Sequence, residues 1–157
     1  MKNILRIIFL ILIILTSLII FGFSAQNGEK SGSLSKTMIT KISDIIKIDE
    51  NKKESFILKG EGIIRKLAHF TIYTSLGIWS MAFISTFNIK QLNRIIYTTI
   101  WGIIYAGTDE IHQLFVSGRN GSILDVILDT TGVIFGICIV VIILKIKDKI
   151  KLKNRKA

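Results

Sequence analysis

Four stretches of this chain are too apolar to be left in water: Ile4–Phe23, Leu67–Phe87, Leu92–Gly107 and Ile123–Leu144. A helix crosses the hydrocarbon core of a bilayer with about 20 apolar residues, and in lipid its backbone must satisfy its own hydrogen bonds. That requirement leaves helices as the building unit here. Half of the 157 residues are hydrophobic and the mean hydropathy is +0.54, which excludes an ordinary soluble domain. The expected fold is all-α: one membrane domain over residues 1–157, with four transmembrane helices. The third stretch is the shortest and carries Thr98, Thr99 and Gly102.

The first stretch is read as an uncleaved helix. Lys2 and Arg6 give it a basic start, but its apolar run exceeds the roughly 7–15 residues of a signal core. Phe23 also stands where cleavage needs a small side chain. An outer loop, 24–65, follows. It opens with the turn-rich SAQNGEKSGS, after which Leu34, Met38, Ile42, Ile45 and Ile46 recur at helical spacing. Lys36, Lys41, Asp44 and Lys47 fall largely on other faces, so an amphipathic helix is expected on the outer leaflet or over the bundle mouth. The next segment, IDENKKES, is expected to be irregular. The chain has no proline, so no helix is kinked by one. Its single cysteine, Cys138, lies in the last apolar stretch and reads as a packing residue.

Charge sets the orientation. The net charge is +10, and the tail 145–157 holds seven basic residues and one acid. Such density directly after a spanning helix reads as a cytoplasmic anchor on anionic lipid. Nucleic acid is not expected as a partner, because no aromatic interleaving or binding motif accompanies the charge. With both termini cytoplasmic, Lys2, Arg6, Lys90, Arg94 and the tail lie inside, and Lys66, Arg119 and the loop cations lie outside.

That topology gathers the unusual polar residues at one face. Lys66, His69 and Tyr73 share one side of the second helix, and Asp109, Glu110, His112 and Gln113 close the third. Asp125 and Asp129 enter with the fourth, and a carboxylate at the centre of a membrane helix costs about 2.5–3.5 kcal/mol on insertion scales. Tyr73 and Asp129 each fall about 9 Å below the start of their helices and are expected to floor the mouth. Ser122 and Asp125 have capping-box spacing. Asp129 is expected to be protonated, paired with Lys66 or Arg119, or part of the site. Acids at a helix C-terminus oppose its dipole, so Arg119 is the expected partner of Asp109 and Glu110. Gly132 and Gly136 form a GxxxG pair that turns the aspartate face into the bundle.

Four blocks recur in order: FSAQ (23–26), KLAHFTIYTSLG (66–77), TDEIHQLFVSGR (108–119) and DVILDTTGVIFG (125–136). Together they resemble the VanZ-like family of bacterial membrane proteins, over nearly the whole chain. The resemblance implies a multi-pass protein of the bacterial cytoplasmic membrane, in a family associated with resistance to glycopeptides, teicoplanin more than vancomycin. It makes Lys66, His69, Tyr73, Asp109, Glu110, His112, Gln113, Arg119, Asp125 and Asp129 family-typical positions without supplying a reaction. The expected function is therefore a cell-envelope protein affecting teicoplanin-type susceptibility through an outward-facing polar site. The alternative is a membrane-embedded hydrolase or transferase acting on a lipid-linked or phosphate-bearing substrate. Expected partners are membrane lipids and a wall-precursor lipid or lipoglycopeptide, with a homo-oligomer left open. No cofactor is expected, since metal-binding spacings such as HExxH are missing and cations lie nearby; His69, His112, Asp109 and Glu110 are the residues suited to hold a metal.

Overall fold

The structure, a computed structural model, describes residues 2–155. Lys156, the last of the seven basic tail residues, lies outside that range. Five helices follow one another: α1 (Lys2–Ser24), α2 (Gly28–Ile45), α3 (Glu50–Ile84), α4 (Gln91–Gln113) and α5 (Ile123–Asn154). Three of them, α1, α3 and α5, are long and apolar enough to cross a membrane, which corrects the expectation of four. The exception is α4. Its 23 residues would reach across, but its last turns carry Asp109, Glu110, His112 and Gln113, and Thr98, Thr99 and Gly102 dilute its middle.

The helix directions follow from their contacts. His69 meets Asp129, and a Cβ on Gly77 or Gly136 would strike the facing backbone of α5 or α3, so those two helices run parallel. Gly102 of α4 lies against Val133, and the Thr98 hydroxyl is 3.8 Å from the Met81 sulfur, so α4 runs the other way. Tyr105 Oη donates to Ser17 O at 2.8 Å, and Arg6 Nε donates to Thr86 Oγ1 in the α3–α4 turn at 3.0 Å, while α1 packs mainly along α3. The core between them is Ile20, Tyr73, Leu76, Met81, Ala106, Val133, Ile137 and Val140. Gly132 and Gly136 both face α3, as the GxxxG spacing predicts.

Beyond the bundle the chain is more helical than expected. Residues 50–55 of the segment IDENKKES are not irregular but open α3, whose first part runs on through 65, with Asp49 Oδ1 accepting from Asn51 N at 3.0 Å as its N-cap. Polarity misled the reading, because lysine and glutamate are good helix formers and no glycine pair or proline intervenes before Gly60. Lys53 ties the extension to α2 through Asp44 and to its own first turn through Glu50, each at 3.0 Å. The expected amphipathic helix is α2, longer at its start, where Asn27 Oδ1 accepts from Lys30 N. It packs along the α3 extension through Ser35, Ile39 and Ser43, with Ile39 against Gly60, and leaves Met38 and Ile45 exposed. It begins beside the bundle mouth and runs away from it. The basic tail likewise continues α5 as helix to Asn154, where cations complement the helix C-terminus.

Candidate functional site

Two turns meet at one end of the bundle. Gly118, in the α4–α5 turn, has φ +72°, a left-handed conformation that glycine adopts without strain. Its carbonyl packs against Gly28 so closely that a Cβ there has no room, and Gly28 N donates to Ser117 O at 3.1 Å. This junction sets Arg119 over the end of α1. Its Nη2 donates to Phe23 O at 3.0 Å and its Nε to Gln26 O at 3.1 Å, bracing carbonyls at and just beyond the end of the helix. Its Nη1 reaches Gln113 Oε1 at 3.3 Å. Burial pushes the pKa of the guanidinium down, and neighbouring Arg65 adds to that, against the pull of Asp109 and Glu110. Among the described residues Arg119 makes no ion pair with either acid, contrary to expectation. Backbone carbonyls hold it instead.

The two acids of α4 are satisfied by neutral donors. Asp109 Oδ2 accepts from Ser24 Oγ at 2.8 Å and from Gln113 Nε2 at 3.3 Å. Glu110 Oε1 accepts from Gln113 Nε2 at 3.1 Å, and Glu110 Oε2 from Ser122 N at 2.8 Å. That last bond displaces the expected capping box. Ser122 Oγ does cap α5, accepting from Leu124 N at 3.2 Å, but the carboxylate on Ser122 N is Glu110 rather than Asp125. Asp125 instead lines a polar cleft.

Deeper in the bundle lies a second polar group. Asp129 and Tyr73 are fully buried, as expected for the floor of the mouth. Asp129 pairs with neither Lys66 nor Arg119; its Oδ1 is 3.5 Å from His69 Nδ1. Among the described residues, neither Asp129 oxygen, nor His69 Nδ1, nor the Tyr73 hydroxyl has a hydrogen-bond partner. The Tyr73 ring lies 6.5 Å from that of His69 and 6.3 Å from that of Tyr105. One ring nitrogen of His69 and one oxygen each from Asp109 and Asp129 fall within 4.8 Å of one another. Of the four residues the sequence suggested for a metal, His69 and Asp109 are in this group. Glu110 is committed to Gln113 and Ser122, and His112 stacks on Phe21 with ring centroids 4.5 Å apart.

Two clefts border the group. The polar one, about 210 Å³, is lined by Arg65, Lys66, His69, Gln113, Arg119 and Asp125. The apolar one, about 390 Å³, lies between α1, α2 and α3, among Ile20, Phe23, Leu34, Met38, Ile64 and Ile72. Arg65, His69 and Arg119 line both. Ser24 and Arg65 are the contributors that sequence reasoning passed over. Ser24 opens the turn-rich stretch after the first helix and stands in the FSAQ block, and Arg65 is one of eight cations in the loop 24–65.

No curated protein and no solved structure matches the chain. The VanZ/LLP1 family model matches residues 8–144, from within α1 to the apolar end of α5 and across every residue of the buried cluster. By that match the chain belongs to the VanZ/LLP1 family.

Proposed function

We propose that this protein works in the bacterial cytoplasmic membrane as an envelope protein that lowers susceptibility to teicoplanin-type glycopeptides, through a polar site facing outward. The observation that supports this reading is the pair of adjoining clefts. The apolar one suits an acyl chain, and Arg65, Lys66 and Arg119 on the wall of the polar one suit a polar or anionic group where that chain joins the rest of the molecule. A lipoglycopeptide such as teicoplanin has both parts, and a glycopeptide without an acyl chain has one. A lipid-linked wall precursor offers the same amphiphilic chemistry, and the two are separated by which antibiotic the protein protects against.

The test is susceptibility to teicoplanin and vancomycin in a sensitive Gram-positive host. Empty vector, wild type, Ala68→Trp and Lys66→Gln are compared at matched membrane abundance. Ala68 lines the apolar cleft, so tryptophan there fills it, and Lys66 is exposed in the polar one. Wild type is expected to protect against teicoplanin more than vancomycin, and Ala68→Trp to lose the difference. Equal protection against both drugs by wild type and Ala68→Trp would remove the acyl cleft from the reading. No protection by wild type would end it.

A further inference from the structure

We propose that His69, Asp109 and Asp129 form a binding site for one divalent transition-metal ion. Such a site is a property of the protein itself, apart from any role in drug susceptibility.

Asp129 carries the argument. It is fully buried, and both of its oxygens lack a hydrogen bond. A buried carboxylate without a partner is costly, and structures keep one where a proton, a cation or an ion pair meets it. The nearby cations are committed elsewhere or open to solvent. Arg119 spends its guanidinium on Phe23, Gln26 and Gln113, and Lys66 is exposed. What does face Asp129 is His69 Nδ1, at 3.5 Å. That is too long for a hydrogen bond of normal strength. It does fit two ligands on one ion, since bonds of about 2.0–2.2 Å place neighbouring ligand atoms roughly 3–3.5 Å apart. The third atom, from Asp109, completes a group within 4.8 Å, which a shift of about 1 Å would close round an ion.

The surroundings suit that role. The hydrogen bonds from Ser24 and Gln113 both fall on Asp109 Oδ2 and hold the carboxylate in place. The Tyr73 hydroxyl is also buried without a partner, available to a metal-bound water or to the ion. One imidazole and two carboxylates select zinc, manganese, iron or cobalt over calcium and magnesium, which favour all-oxygen sites. Three protein ligands leave positions for water or an exogenous oxygen. The rival is a proton shared between His69 and Asp129 without any metal.

Full-length protein purified in detergent would be stripped with chelator, loaded separately with zinc, manganese or cobalt, desalted and assayed for metal. About one equivalent of at least one ion is expected in wild type, with affinity lowered roughly tenfold or more in Asp129→Asn. His112→Ala is expected to bind as wild type does. The chain has two histidines, so imidazole nitrogen NMR reads each ligand directly. On adding zinc the His69 signals should move and those of His112 should not. Failure of folded wild type to retain any of the three ions overturns the proposal in favour of the shared proton. Undiminished binding by both Asp129→Asn and His69→Gln also overturns it. Should Asp129→Asn not fold, the wild-type spectrum decides: an unmoved His69 overturns the site.

Discussion

Two buried aspartates a few ångströms apart live in opposite conditions. Asp109 has a serine hydroxyl and a glutamine amide on one oxygen, whereas Asp129 has no hydrogen bond. Ser24→Ala should therefore cost about 1–3 kcal/mol, because it strips a buried carboxylate of a donor. Denaturant unfolding in detergent measures this, and a cost near zero would mean that Gln113 alone suffices. Tyr73→Phe has the reverse expectation: its hydroxyl contributes no hydrogen bond within the protein, so the variant should match wild type to within about 1 kcal/mol. A larger loss would reveal a partner for the hydroxyl. At this scale the residue types were legible and their partners were not. Charge alone points Arg119 to the acids, but backbone carbonyls at the end of α1 hold it because the turn at Gly118 sets it there.

Among the elements, glycines decide which helices approach closely. A Cβ on Gly132 would lie 2.7 Å from Phe70 O, and one on Gly136 or Gly77 would also meet facing backbone. Gly136→Leu is expected to destabilise by roughly 1–3 kcal/mol or more, by forcing α3 and α5 apart. Gly62, with open space around it, is the control; Gly62→Ala should stabilise by about 0.5–1 kcal/mol through helix propensity. Parallel melting curves of the two variants test both, and equal behaviour would mean that helix propensity outweighs packing here. The GxxxG spacing could be read without a structure. The length of α3 could not, since a charged segment such as 50–65 reads alike as solvated helix or as loop until Lys53 is seen bridging to Asp44.

For the molecule as a whole, the decisive contrast is between two ends. The His69, Asp109 and Asp129 cluster, with Arg119, lies at the α1 C-terminal end, and Arg6 with Thr86 lies at the other. If the cluster faces outward, a cysteine replacing Ser117 in a Cys138→Ala background should react with a membrane-impermeant maleimide in intact cells. A cysteine replacing Asn154 should react only after permeabilisation. The reverse pattern would invert the topology and place the polar cleft in the cytoplasm. Labelling at both positions in intact cells would put both on the outer side and mean that α5, the helix between them, does not cross.

Hydrophobic runs and the need to satisfy every backbone amide in lipid determined, from the sequence by itself, that this chain is helical and that helices carry its polar motifs. Helical spacing further placed Asp125, Asp129, Gly132 and Gly136 on one face. Only the tertiary structure decided which carboxylates are satisfied and which are bare, because partners come from segments far apart in the chain: Ser24 for Asp109 and Ser122 for Glu110, while Asp129 has only His69 at 3.5 Å. Local propensity acts over a turn or two of backbone. The chemistry of a buried charge depends on what three-dimensional packing brings within about 3 Å of it.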